Sequence, residues 1–209
     1  MTPLVVGIAG PSCAGKTALA EALVIALGKD RTALVTLDAY YRDLSTLQPA
    51  ERAKTNFDAP EAFDWPLLCA HRDALLAGRP ADTPVYDFAT HTRTPATHRI
   101  EPAKYVVLEG LLALHLPALR ERFDLAVYVH ARDAVCRKRR EARDVLQRGR
   151  NVESVRAQYE ATVLPMARKY VWPSRRYAQL VIDGEAPIDD GVKAVASLLC
   201  LLDREEGRA

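Results

Sequence analysis

Apolar positions in this chain alternate between short unbroken runs and longer interrupted ones. Residues 4–9 form a continuous apolar run ending at Gly10, the pattern of a strand buried on both faces. Residues 16–27 are rich in Ala and Leu, with Leu19, Leu23 and Leu27 on one stripe and Gly28 as a stop. That spacing predicts an amphipathic helix. Further buried strands are expected at 32–37, 105–108, 125–129 and 179–182. Helical spacing fills 66–77, 133–147 and 152–163, the last stopping ahead of Pro165. A final helix is expected over about 189–204, with Val192, Val195, Leu199 and Leu202 on one face. Strands alternating with helices argue for an α/β fold of three layers, a parallel five-stranded sheet covered on both sides. Two stretches break the rhythm: residues 43–64 are polar and loop-like, and residues 83–101 are Thr- and Pro-rich and suit an accessory β-hairpin. No repeat, low-complexity tract or Gly/Ser linker divides the chain, so one domain over residues 1–209 is expected.

Composition narrows the function classes. With 29 basic and 27 acidic residues the net charge is +2, too even for a dedicated nucleic-acid binder or a membrane-surface protein. No apolar run approaches the roughly 20 residues that span a bilayer. The first residues, Met1 to Val6, carry neither a basic region nor a small-residue cleavage site. Cys13, Cys69, Cys136 and Cys200 lie far apart without a CxxC pair, which suits neither a zinc site nor a disulfide framework. A reduced, cytoplasmic protein is the expectation.

Candidate chemistry begins at Gly10-Pro11-Ser12-Cys13-Ala14-Gly15-Lys16-Thr17, which fits GxxxxGK[ST] at every fixed position. The glycines let backbone N–H groups curl around a polyphosphate, and the following helix adds its N-terminal dipole. Lys16 reaches the β/γ-phosphates and the Thr17 hydroxyl ligates Mg²⁺. The motif sits between a buried strand and an amphipathic helix, its proper context for a P-loop. Cys13 reads as a small filler, since no histidine lies near it in sequence. The strand at 105–108 delivers Glu109, and the strand at 32–37 delivers Asp38, to the edge where ligands sit in open α/β sheets. Glu109 is a candidate metal or water ligand, or an ordinary strand-end acid. Asp38 is a candidate acceptor for a hydroxyl proton, or a turn residue.

At this point the chain resembles the uridine/cytidine kinases of the phosphoribulokinase/uridine kinase group. The segments that carry the likeness are GPSCAGKT (10–17), LDAYYRD (37–43), NFDAPEAFDW (56–65), PVYDFATHTR (84–93), VVLEGLLAL (106–114), RREARDVLQRGRN (139–151) and QYEATVLPMARKYVWPSRRYA (158–178). They run in family order over about residues 4–183. The resemblance implies a P-loop NTPase fold and ATP-dependent phosphorylation of uridine and cytidine at the 5′-hydroxyl, in pyrimidine salvage. It implies Asp38 as general base, and Thr17, Glu109 and Asp38 around Mg²⁺. Asp58 would hold the ribose hydroxyls, and Phe57, Tyr86, Phe88 and His91 the base. Lys16, Arg140 and Arg143 would serve the phosphates, with Arg140, Arg150 and Gln158 as further substrate contacts. It also implies a homotetramer and feedback inhibition by pyrimidine triphosphates. ATP is the implied donor, with GTP as the alternative. Two departures stand out: Cys136 occupies a position where relatives often carry arginine, and residues 181–185 lack the PRGG-like turn after the last strand.

The residues agree independently in part. Tyr86, Phe88 and His91 share one short polar stretch, where a core would hardly tolerate them. The i,i+2 spacing of Tyr86 and Phe88 would also suit one face of a half-buried strand, and His91 alone would suit a surface residue. Residues 137–150 hold seven basic side chains against Glu141 and Asp144, net +5, which leaves the remainder of the chain at net −3. Cys136, Arg140, Arg143 and Gln147 fall on one helical stripe. A basic helix facing the P-loop suits a lid over a transferring phosphoryl group. The other readings are a solvated arginine face or an RNA-binding NTPase. Another small-molecule kinase of the same group, for nicotinamide riboside, pantothenate or ribulose 5-phosphate, is the nearest alternative.

Overall fold

Each apolar run becomes a strand. The computed structural model describes residues 2–52 and 54–206. Its main elements are β1 (Leu4–Ala9), α1 (Lys16–Leu27), β2 (Thr32–Thr36), α2 (Trp65–Leu76), β3 (Ala81–Asp87), β4 (Thr92–Ile100), β5 (Tyr105–Glu109), β6 (Leu125–His130), α3 (Asp133–Arg148), α4 (Val152–Gln158), β7 (Leu180–Asp183) and α5 (Ile188–Glu206). Five strands pair in parallel in the order β2-β5-β1-β6-β7. β1 is central, and all six of its residues are buried, which is why its sequence shows no polar alternation.

The pleat sends β1 side chains alternately into two cores. Leu4, Val6 and Ile8 pack with Leu19 and Leu23 of α1 and Val195 and Leu199 of α5. Val5 and Ala9 join the opposite core with Leu68 and Leu75 of α2, Leu108 of β5 and Val171. The expected stripes on α1 and α5 are the buried faces of those helices, with Leu27, Val192 and Leu202 partly buried at their ends. Fully burying one such aliphatic side chain is worth about 1.5–3 kcal/mol. α2 starts on Asp64, whose carboxylate accepts from the Leu67 amide at 3.3 Å, with Pro66 in the first turn.

β3 and β4 form the expected hairpin as a separate antiparallel sheet, paired from Ala81↔Ile100 to Asp87↔Thr92. The register shifts between Pro84 and Tyr86. The stretch 43–64 is irregular, with short turns at Pro49–Arg52 and Pro60–Ala62 and a bridge between Tyr41 and Phe63.

Two expectations are corrected. The helix from residue 152 does not stop before Pro165; helical turns continue to residue 177. A π turn, Tyr159–Val163, precedes Pro165, and a second, Ala167–Val171, precedes Pro173. The Leu164 amide reaches back five residues to the Tyr159 carbonyl, and the Trp172 amide to Ala167. The wider turns take up the prolines' missing N–H and the ring crowding that would break an ordinary helix. The buried stripe of α3 is Cys136–Arg140–Asp144, with spacing i, i+4, i+8, and Gln147 is exposed.

Candidate active site

Parallel pairing brings the C-terminal ends of all five strands to one edge, and the loops beyond them enclose a cavity of about 530 Å³. The P-loop forms its floor. Gly10 holds φ 147°, and a Cβ there would collide with the Val129 carbonyl oxygen of β6, so only glycine lets the loop leave the sheet at this angle. Gly10, Pro11 and Ala14 are buried behind the loop, whereas Ser12, Cys13, Gly15, Lys16 and Thr17 line the cavity. Lys16 is buried, and its ammonium donates to the Pro11 carbonyl at 2.9 Å. Cys13 sits in the left-handed region at φ 63°, which bends the loop's amides inward.

Three carboxylates meet this floor. Glu109, at the end of β5, is 4% exposed and accepts from the Thr36 hydroxyl at 2.8 Å and the Thr17 hydroxyl at 3.4 Å. Burial pushes its pKa above the ordinary carboxylate value, opposed by the Lys16 charge. Asp38 lies in the 3₁₀ turn Leu37–Tyr40 that follows β2 and lines the same cavity. Asp58 is also buried and raised by desolvation, with Arg140 as the main opposing charge. Among the described residues no trio of His, Cys, Asp or Glu would enclose a metal ion by itself. Two carboxylates and a hydroxyl at a phosphate loop suit Mg²⁺, which keeps several waters and takes phosphate oxygens as its other ligands.

The far wall is aromatic. Phe57 and His91 stack at 4.4 Å with an 18° interplanar angle. Tyr41 is the hub: it stacks on Phe63 at 4.5 Å and meets Phe57, Tyr86 and Phe88 edge-on or tilted, at 5.3 to 6.3 Å. His91 holds φ 57° at the tip of the hairpin. Burial, together with Arg150 and Arg148, lowers its pKa, so its ring is neutral at pH 7 and carries one donor and one acceptor nitrogen. The Tyr86 hydroxyl is buried without a hydrogen-bond partner, and its pKa is pushed up to about 12. Arg52 ties the two segments of this wall together, donating to the carbonyls of Ser45, Leu47 and Thr90. Arg93 does the same through Asp64 and the Tyr41 carbonyl.

α3 closes the third side. Arg140 donates to Ser12 of the P-loop at 3.0 Å and to Gln158 at 3.1 Å, and Arg150 donates to the same Gln158 oxygen at 2.7 Å. Arg143 lines the cavity beside them. Arg139 bonds the Gly184 carbonyl at 2.9 Å, fixing the loop after β7 against the P-loop. That loop lines the cavity at the P-loop end through Asp183, Gly184, Ala186, Pro187 and Ile188.

The sequence-derived candidates Asp38, Phe57, Asp58, Tyr86, Phe88, His91, Glu109, Arg140, Arg143, Arg150 and Gln158 therefore share one cavity with the P-loop. Sequence reasoning missed Tyr41, Arg139 and Arg148, which also line it, and Asp144, which is wholly buried behind the arginines. Tyr41 stood inside the LDAYYRD segment, and Asp144 stood four residues after Arg140, a spacing that suits an ion pair on one helix face but does not reveal its burial.

The model of the phosphoribulokinase/uridine kinase family matches residues 5–187. A uridine kinase of Chloroflexus aurantiacus is 47% identical over 182 residues, 87% of each chain. A uridine kinase of Tolumonas auensis is 42% identical over 183 residues, 86% of each. Among solved structures, phosphoribulokinase from Rhodobacter spheroides superposes with a TM-score of 0.63 at 15% identity, over 90% of this chain and 74% of that one. D-glycerate 3-kinase from Cryptococcus neoformans superposes with a TM-score of 0.59 at 18% identity, over 83% and 80%. At such identities the structures attest the fold.

Proposed function

This chain belongs to the phosphoribulokinase/uridine kinase family, and from that premise we propose that it transfers the γ-phosphoryl group of ATP to the 5′-hydroxyl of uridine and cytidine. The observation that carries this reading is the meeting, in one cavity, of a P-loop, the carboxylate of Asp38 and an aromatic wall with the buried acid Asp58. Asp38 takes the proton from the 5′-hydroxyl as the oxygen attacks. Lys16, Arg140 and Arg143 meet the negative charge spread over the phosphoryl oxygens. Thr17, Asp38 and Glu109 would hold Mg²⁺, which supplies further charge neutralisation. Asp58 accepts hydrogen bonds from the ribose hydroxyls. Phe57, Tyr86, Phe88 and His91 receive the base, and Arg150 and Gln158 close on the bound nucleoside.

The aromatic wall distinguishes a nucleoside from ribulose 5-phosphate or pantothenate, neither of which offers a planar base. Arg140 and Arg143 turn inward toward the P-loop, Gln158 and Asp144, which leaves little of them for an RNA backbone. We further place the enzyme in the cytoplasm beside its donor, as one kinase domain that assembles as a homotetramer. No helix among the described residues is long and apolar enough to cross a membrane.

Steady-state ADP release on uridine, cytidine, adenosine and guanosine tests the reading, with GTP compared as donor. Both pyrimidine nucleosides are expected to turn over and both purines to be poor. A neutral His91 can donate to the uracil oxygen at position 4 or accept from the cytosine amino group there. His91→Ala is expected to lower kcat/KM for both pyrimidines by roughly 10- to 100-fold with KM for ATP nearly unchanged. Native pyrimidine kinetics in that variant, or preference of the native enzyme for adenosine, would overturn the base-pocket assignment.

The same assay reads the sugar. A buried Asp58 left underpaired by a missing hydroxyl costs about 1–3 kcal/mol. Discrimination against 2′-deoxyuridine of about 10- to 100-fold is therefore expected, shrinking in Asp58→Ala through loss of the good substrate. Equal kcat/KM for the two in the native enzyme removes Asp58 from sugar recognition.

A further inference from the structure

Asp144 lies in the middle of the most basic segment of the chain, yet none of its surface is exposed. A carboxylate is driven out of water only where other charges receive it. Four guanidinium groups surround this one: Arg143 at 2.9 Å, Arg140 at 3.6 Å, Arg148 at 3.7 Å and Arg150 at 3.8 Å. Arg143 donates a hydrogen bond to Oδ1. Oδ2 and the Nε of Arg140 are both buried without a hydrogen-bond partner, and the distance between them is too long for one. The backbone carbonyl of Asp144 accepts from the amides of Gly149 and Arg150, which ends α3 and folds Arg150 back toward its carboxylate.

Four positive groups around one negative group leave a local excess of three positive charges at the cavity rim. Burial lowers the pKa of Arg148, and repulsion from Arg143 lowers it further. Ser12 and Gln158 each tie particular arginines, whereas Asp144 lies within reach of all four. Asp144 does not itself line the cavity, so it acts through these neighbours.

We propose that Asp144 is a positioning residue for phosphoryl transfer: its buried carboxylate gathers Arg140, Arg143, Arg148 and Arg150 at the cavity rim, so that phosphate oxygens meet them already in place. The proposal rests on the phosphotransferase reading above. It is tested on Asp144→Asn, Arg143→Gln and the double variant, by direct titration with ATP and Mg²⁺ and by turnover on uridine. Asp144→Asn is expected to weaken ATP binding about tenfold and to lower kcat by about 10- to 100-fold, the scale of a misplaced catalytic group. In the Arg143→Gln background both losses shrink, because residues acting as one unit are not additive. Asp144→Glu, which keeps the charge on a side chain one methylene longer, is expected to recover part of both. Native ATP affinity and kcat in Asp144→Asn, or losses that multiply independently of Arg143, overturn the proposal. Should Asp144→Asn fail to fold, Asp144→Ala and Asp144→Glu decide with Arg143→Gln: the alanine variant should lose both quantities, less so in the Arg143→Gln background, and the glutamate variant should lose less than alanine; equal losses in the two, or losses independent of Arg143, overturn the proposal. If the native protein releases no ADP with uridine, the substrate reading falls, while the ATP titrations still decide the role of Asp144.

Discussion

Replacing Asp38 with Asn is expected to lower kcat on uridine by about 10²–10⁴-fold, the usual contribution of a general base, while ATP continues to bind. The amide keeps the shape of the carboxylate and cannot accept the proton of the attacking hydroxyl. Asp38 sits in a tight turn directly after β2 and lines the same cavity as the P-loop, and asparagine matches its size. Steady-state turnover with a parallel ATP titration separates the two effects. Near-normal turnover would remove Asp38 from the mechanism, and loss of ATP binding along with turnover would leave it a metal ligand and not the base.

Glu109→Gln is expected to act in opposite directions on activity and stability. Activity should fall by at least about 10²-fold, equivalent to about 2.7 kcal/mol of lost transition-state stabilisation. Stability should rise. Burial raises the pKa of Glu109 in the folded protein, whereas in the unfolded chain it titrates near the ordinary glutamate value of about 4.3. The folded state therefore binds the proton more tightly, and this group makes the protein less stable as pH rises through that window. Above the window the penalty is complete. Glutamine cannot ionise, and its carbonyl still accepts from the Thr36 and Thr17 hydroxyls. Tm at pH 7 should therefore lie above that of the native protein. The gain should vanish below about pH 4. Melting curves at pH 7 and pH 4 check this, and a lower Tm at pH 7 would show that the ionised form is the one the fold prefers.

The features that were legible in the sequence are local in the chain. β1, the P-loop and α1 are contiguous, and their chemistry depends on a fixed spacing of glycines, Lys16 and Thr17, so position alone reveals them. The parallel strands were legible because burial on both faces removes polar residues from them. The helix beyond residue 163 was not, because the rule that proline ends a helix sees Pro165 and does not see the wider π turn that accommodates it. Tyr41 becomes a hub only when β3, the 43–64 loop and the turn after β2 are brought together in space. Asp144 reads as one acid on a solvated basic face until packing buries it. The base-pocket residues were visible chiefly as a family likeness, since the spacing of Tyr86 and Phe88 also fits a half-buried strand and a lone His91 also fits a surface residue.

The left-handed backbone at His91 limits how this enzyme's substrate range could be redesigned. A residue that must hold φ near 57° cannot be β-branched without strain, and besides His itself only Asn and Asp among the polar side chains are favoured there. A library that randomises position 91 would thus put most members under about 1–2 kcal/mol of backbone strain that has nothing to do with the nucleoside. Its stacking partner Phe57 carries no such restraint, since its φ is negative. Directed changes of base preference should begin at Phe57, with the hairpin tip left as it is.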